Sequence, residues 1–361
     1  MNRPKHGGNL AWAAAVASCP VSLIVDFSAS INPLGPPPKA IATIKANLDR
    51  LIVYPDPNYT QLKKILADYH NVPVDYVLPG NGSAELLTWA GKELSKQRVT
   101  QVIAPSFSDY ERALTAFEAN WSKCQLNLAD SAKKQKTPLA DILSFEEVIP
   151  ANAGLLLNNP HNPTGQIWTK EEILPYLAKF ALVVVDEAFM DFLSPEQEQS
   201  VISLVVKFPN LIVLRSLTKF YSLPGLRIGY AIANPAILQK WQKFRDPWSV
   251  NALAAIAAET VVRDKQFQQR TWDWLPPTRN HLWQGLSSIG GLQPLTSSVN
   301  FLLVKTAKPS TELQLELLKK YQILIRDCIS FPELGDRYFR IAVRSQADND
   351  YLLEALADSY S

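Results

Sequence analysis

Histidine, cysteine and an excess of charge of one sign are scarce in this sequence, and each shortage removes a class of function. Four histidines in 361 residues, with no HExxH motif and no His-rich tract, argue against a dedicated metal site. The three cysteines, Cys19, Cys124 and Cys328, show neither CxxC nor metal spacing, and an odd number does not make a disulfide framework. With 36 basic and 34 acidic residues the formal net charge is +2, and the basic residues are scattered rather than gathered into a stripe for nucleic acid. Repeats and low-complexity tracts are absent. So is any stretch approaching the ~18 apolar residues of a membrane span.

One segment imitates a targeting signal. Arg3 and Lys5 precede LAWAAAVASC (10–19), which looks like a short secretory apolar core ending at a cysteine. The alternative, and the expectation here, is an amphipathic arm or helix at the start of a cytosolic enzyme. A composition of 47% hydrophobic and 19% charged residues is that of a soluble globular chain, long enough for about two domains.

What the chain does have is a series of short apolar, β-branched runs separated by helical patterns. They are QVIAP (101–105), AGLLLNNP (153–160), ALVVVDEA (181–188), LIVLRS (211–216) and IGYAIAN (228–234). Continuous runs without polar alternation suit strands buried on both faces, and their alternation with helices predicts an α/β fold with a largely parallel sheet. Ligands of such sheets gather at the carboxyl ends of the strands. The runs end in Pro105-Ser106-Phe107, Asn158-Asn159-Pro160, Asp186-Glu187 and Ser216, a convergence of polar and special residues. From about residue 255 the pattern changes to a long Ala-, Gln- and Trp-rich helical stretch. VNFLLVK (299–305), a helix near 311–321, ILIRDC (323–328) and YFRIAVR (338–344) follow, reading as a smaller α+β domain. The Pro-rich INPLGPPPKA (31–40) has extended, turn-like character.

Four stretches carry chemistry. In SLTKFYSLPGLRIGY (216–230), Lys219 follows a buried strand, where desolvation and cationic neighbours lower an amine's pKa enough to make it a nucleophile. Ser216, Thr218 and Arg227 supply hydroxyls and a guanidinium suited to a phosphate ester. Taken alone, Lys219 also reads as an exposed loop lysine. Asp186 of VVVDEAF either caps a helix or holds a pyridinium nitrogen protonated. NNPHNPTG (158–165) is either a plain turn or a loop in which Asn162 donates to a phenolic oxygen. In LPGNGSAELL (78–87), Gly80 and Gly82 open a helix at Ser83-Ala84, whose free N–H groups suit an anion.

Together, in this order and spacing, these stretches resemble the fold type I pyridoxal-phosphate enzymes of the aspartate aminotransferase class over essentially the whole chain. The resemblance implies a large cofactor-binding domain (46–255) with a mostly parallel sheet between helices. It also implies an N-terminal arm (1–45) packing with a small α+β C-terminal domain (256–361). Lys219 would bond covalently to pyridoxal 5′-phosphate, with Asp186 on the ring nitrogen and Asn162 on the 3-oxygen. Ser83 and Ala84, through their backbone, and Ser216 and Arg227 would hold the phosphate. Phe107 would stack on the ring, and Tyr54 of YPDP would reach the cofactor phosphate of a second subunit, so a cytoplasmic homodimer with shared sites is implied. Arg340 of FRIAV is similar to the arginine that clamps a substrate carboxylate. Phe189 departs from the pattern, which often has tyrosine there, so a hydroxyl donor to the 3-oxygen is missing.

Within the class the chain looks most like two subfamilies that handle phosphorylated substrates, histidinol-phosphate aminotransferases and the threonine-phosphate decarboxylases of the cobalamin pathway. KHGGN (5–9), DFSASINPLGPP (26–37), GNGSAELL (80–87) and RDPWSVNALA (245–254) favour the decarboxylase, although that pattern commonly has Asn where Ser30 stands. His6, Asn32, Arg326 and Arg344 lie in matching contexts for the substrate phosphate. No metal is implied, nor a DNA-binding module, since the ~45 residues before the large domain are too few for an ordinary one.

Overall fold

Strands form where the sequence runs apolar and β-branched without interruption, and the reason is burial on both sides. The structure is a computed structural model and describes residues 3–128, 136–143 and 152–361. After the short β1 (Val25–Asp26) come β2 (Val77–Gly80), β3 (Val99–Ala104), β4 (Trp121–Gln125) and β5 (Ala153–Asn158). β6 (Leu182–Asp186), β7 (Leu211–Ser216) and β8 (Gly229–Ala233) complete a seven-stranded sheet of order β2-β8-β7-β6-β5-β3-β4. Every residue of β5, β6 and β7 is buried. Val183, Val185 and Val213 face one apolar cluster, while Val184, Ile212 and Leu214 face the other. Each such side chain contributes roughly 1.5–3 kcal/mol by leaving water, so a polar residue in mid-strand would be costly. The polar residues are therefore displaced to the strand ends.

β3 to β7 pair in parallel, whereas β8 is antiparallel to both β7 and β2. The reversal lets β8 return from β7 through the short connection 217–228 rather than through a crossover helix. Lys219 and Arg227 are thereby held at the same end of the sheet. The register aligns Asn158 with Asp186, and Ser216 with Gly229, which in turn faces Gly80.

The second body is built on an antiparallel sheet of order β12-β13-β10-β9, comprising β9 (Leu292–Pro294), β10 (Phe301–Thr306), β12 (Arg326–Asp327) and β13 (Tyr338–Ala342). β11 (Ile323–Leu324) pairs in parallel with β1, so the N-terminal segment joins the C-terminal body. The LAWAAAVA stretch is a helix, Leu10–Ala17, that buries Trp12 and Ala13 against Leu318 and Leu324. The expected limits at 45 and 255 fall inside helices Pro38–Ala46 and Ala252–Val261, which pack together. No helix of the described residues is long and apolar enough to cross a membrane.

Candidate active site

The carboxyl ends of the parallel strands open into a cavity of about 330 Å³, lined also by His6 and Gly7 of the N-terminal arm and by Arg326 and Arg340 of the small sheet. At one end lies an anion cradle. Gly82, at φ +77°, turns the chain into helix Ser83–Leu94, leaving the first N–H groups of that helix without intrahelical partners. Gly82 is required by its positive φ, and Gly229 by the backbone packed against it. A Cβ on Gly82 would stand 2.7 Å from Arg227 Nη2, and one on Gly229 would stand 2.7 Å from Ser83 N. Ser216 Oγ and Thr218 Oγ1 lie 2.7 Å apart at the end of β7 and line the same space.

Lys219 and Asp186 are both buried in the cavity wall. Burial, with Arg340 and Arg227 nearby and Asp186 opposing, lowers the Lys219 amine to about 8. Burial raises the Asp186 carboxyl above its ordinary range, against the hydrogen bonds that it accepts. Those come from Tyr110 Oη at 2.7 Å on Oδ2 and from the Ala188 N–H at 3.0 Å on Oδ1. Asn158 donates to the Asp186 carbonyl and accepts from the Asn162 N–H, tying the loop after β5 to the end of β6. Asn162 Oδ1 accepts from Arg340, which leaves its Nδ2 as the donor toward the cavity. Phe107 lines the wall, edge-on to Tyr110 at 5.8 Å and to His6 at 5.9 Å.

The small sheet supplies the other end. Arg326 on β12 and Arg340 on β13 are register partners and both line the cavity. Their hydrogen bonds go to uncharged oxygens: Pro4 O, Lys5 O and Ser330 Oγ for Arg326, and Asn162 Oδ1 and Ser28 O for Arg340. Burial lowers Arg340 to about 10. His6 also reaches the cavity, where burial and then Arg326 lower its pKa and favour the neutral imidazole.

Three expected residues are not brought to the cavity of their own chain. Tyr54 is 77% exposed and stacks on Trp248 at 4.3 Å between centroids. Asn32 is a correction: its Nδ2 donates to Phe220 O and Thr271 Oγ1, both at 2.9 Å, so its amide braces the loop behind Lys219 instead of facing substrate. Arg344 is another. Its guanidinium holds Asp348 and the Asp26 carbonyl, outside the cavity lining.

Sequence reasoning missed Tyr110 and Arg215. Tyr110 lies three residues after Phe107 on helix Ser108–Thr115, a spacing that returns to the same face. Arg215 left a plainer signal, a charge inside a strand buried on both faces, which requires buried partners. They are Glu187 at 2.9 Å, Asp191 at 2.5 Å and Glu198 at 2.5 Å.

These residues fit the pyridoxal phosphate that the sequence resemblance implies. Lys219, Arg227, Arg326 and Arg340 outnumber Asp109 and Asp186 in the lining, so the cavity calls for anions. Ser30 Oγ and Arg340 Nε are buried there without a hydrogen-bond partner.

Comparison with known proteins agrees. Residues 23–356 match the family model of aminotransferase class I and II. The chain is 37% identical over 357 residues to a threonine-phosphate decarboxylase of Salmonella typhimurium, covering 97% of this chain and 95% of that one. Among solved structures it is similar to an L-threonine-O-3-phosphate decarboxylase from Porphyromonas gingivalis, with TM-score 0.81, 26% identity and 93% and 99% of the two chains covered. It is also similar to a histidinol-phosphate aminotransferase from Clostridium acetobutylicum, with TM-score 0.83, 27% identity and 92% and 98% covered. The chain thus belongs to the aminotransferase class I and II family.

Proposed function

We propose that this protein is a pyridoxal-phosphate-dependent carboxy-lyase that converts L-threonine O-3-phosphate to (R)-1-amino-2-propanol O-2-phosphate and CO2 in cobalamin biosynthesis. The observation that carries the reading is the sustained likeness, 37% identity across 97% of the chain, to a threonine-phosphate decarboxylase. Arg326 and Arg340 at the small-sheet end of the cavity, hydrogen-bonded only to neutral oxygens, add to it, because this substrate brings both a carboxylate and a phosphate.

Lys219 would bond to the cofactor, with Asp186 to hold its ring nitrogen, Asn162 Nδ2 its 3-oxygen and Phe107 its ring. The Ser83 and Ala84 N–H groups, Ser216, Thr218 and Arg227 would hold its phosphate. When bound, the cofactor supplies an electron sink. Arg340 binds the substrate carboxylate, a bidentate task for which a guanidinium is shaped. Arg326, with neutral His6 beside it, binds the substrate phosphate. Holding both ends fixes the rotation about the bond from nitrogen to Cα, and such orientation is worth several kcal/mol of barrier. Lys219 Nζ, set free when the substrate amine takes its place, would hold the proton that Cα receives once its bond to the carboxylate breaks and CO2 leaves. The product amine would then give way to Lys219 again.

Tyr54, exposed and stacked on Trp248, completes the cofactor phosphate site of a second subunit in a cytoplasmic homodimer. The arm 1–45 and the small domain 256–361 close over the large domain 46–255.

The test supplies L-threonine O-3-phosphate to the purified holoenzyme without any keto acid. CO2 released over many turnovers is the expected result. Activity that appears only with 2-oxoglutarate would make the protein a histidinol-phosphate-type aminotransferase and end the lyase reading.

A further inference from the structure

Among the described residues, three from the C-terminal body line the cavity: Arg326, Arg340 and Phe331. The two guanidinium groups suit the charges of a substrate. The phenyl ring does not, since an anion set against it gives up water and gains no hydrogen bond in return. Phe331 is 3% exposed, and where it borders the cavity it calls for an apolar group on the ligand.

The loop between β12 and β13 fixes where that ring stands. Ser330, the residue before Phe331, accepts a hydrogen bond at 2.5 Å from Arg326 Nη2. Phe331 thus follows directly on the residue that holds the guanidinium assigned to the substrate phosphate, and both it and Arg326 line the same cavity. Its N–H donates to the Cys328 carbonyl at 2.9 Å, and its carbonyl accepts from the Leu334 N–H at 2.9 Å. The ring packs in a cluster with the buried side chains of Leu303, Cys328 and Leu334. Two residues further on, Glu333 pairs with Lys123 of β4 at 2.6 Å, which ties the loop to the large sheet. Close packing of this kind holds the ring in place.

We propose that Phe331 is a specificity-determining residue whose ring packs against the methyl group on the phosphate-bearing carbon of the substrate, so that the enzyme selects L-threonine phosphate over L-serine phosphate. The amine goes to the cofactor, the carboxylate to Arg340 and the phosphate to Arg326. The methyl is the apolar group that remains, and it sits on the carbon next to the phosphate. One methyl group in an apolar pocket is worth roughly 10- to 200-fold in selection. The proposal rests on the carboxy-lyase reading for its substrate but concerns only the phosphate end of the cavity.

The test is a calorimetric titration of the holoenzyme with two ligands that have no amine and cannot react, 3-phosphoglycerate and its homologue with a methyl on the phosphate-bearing carbon. The native protein is expected to prefer the methylated ligand by about tenfold or more. Phe331→Ala should reduce that preference to less than about threefold while leaving 3-phosphoglycerate within about twofold of its native affinity. Phe331→Leu, which keeps an apolar side chain there, should retain most of the preference. The ratio of kcat/KM for L-threonine phosphate to that for L-serine phosphate should fall in step with the binding preference. No preference in the native protein, or one that survives Phe331→Ala, overturns the proposal. So does equal weakening of both ligands by the two variants alike, which would make the ring a support for Arg326 and nothing more. A methyl preference lost in Phe331→Ala, in a protein that releases no CO2, would keep Phe331's role and reject the lyase reading.

Discussion

Replacing Arg215 with methionine isolates one buried cation and three carboxylates, and the structure sets the size of the effect. Glu187 and Asp191 are almost wholly enclosed, with side chains 0% and 10% exposed, whereas Glu198 is 35% exposed and counts for little after screening by solvent. Removing the partner of an enclosed carboxylate costs about 3–5 kcal/mol, because the charge left behind is neither hydrated nor paired. For a chain of 361 residues, at about 2 cal/mol/K of unfolding entropy per residue, that is roughly 4–7 °C in Tm.

The pH dependence of that loss tests the cause. Burial already raises Glu187 to about 7 and Asp191 to about 6, against the pull of Arg215. A carboxyl raised in the folded state binds protons that the unfolded chain releases. Stability therefore falls as pH climbs from the unfolded value through the folded one. Without Arg215 both groups rise further, so the fall becomes steeper and extends to higher pH. Differential scanning calorimetry of the cofactor-free protein should show a small deficit at pH 5 and a larger one at pH 8, and adding Glu187→Gln to the variant should recover part of it. A deficit below about 1 °C, or one independent of pH, would refute the reasoning. Because Glu187 follows Asp186 and Arg215 precedes Ser216, the variant should also loosen pyridoxal phosphate, read as a larger dissociation constant.

The Lys219 amine, lowered to about 8 by burial and by Arg340 and Arg227, must be unprotonated to bond to a carbonyl. The rate at which the cofactor-free protein takes up pyridoxal phosphate, followed by absorbance, should rise about tenfold per pH unit below 8 and level off above it, and a flat profile would contradict the assignment. Gly82→Ala combines a positive φ with a Cβ only 2.7 Å from Arg227 Nη2, so it should weaken cofactor binding at least tenfold by equilibrium titration while leaving the fold intact by circular dichroism. Tyr110→Phe removes the 2.7 Å hydrogen bond to Asp186 Oδ2 and with it a contact that favours the charged carboxylate. It should lower kcat by about tenfold or more, most at low pH, whereas an unchanged pH profile would assign Tyr110 to packing alone.

The strands of the large sheet were readable because burial on both faces leaves a local imprint, an unbroken apolar run closed by a polar residue. LVVVD and LIVLRS show it within five and six residues. The same imprint announced Asp186 and Ser216 as strand-end groups, and Lys219 followed from its nearness to one of them. Arg326 was named for its context, but nothing local stated that it would stand opposite Arg340, since that depends on the pairing of β12 with β13.

Asn32 and Arg344 show where local context misleads. Each sits in a motif that also suits a phosphate, and each is drawn away by partners distant in the chain. Asn32 goes to Thr271, 239 residues on, and Arg344 to Asp26, 318 residues back. Tyr110 was missed for the same reason, as its partner Asp186 lies 76 residues later. The sequence by itself determined which side chains stand at the carboxyl edge of the sheet, because burial and strand period are properties of neighbours in the chain. Only the tertiary structure decided which polar groups satisfy one another and which remain for a ligand, because a hydrogen bond depends on position in space. Ser28, bonded to Asp26, and Ser30, without a partner, are near neighbours in sequence, and only the fold tells them apart.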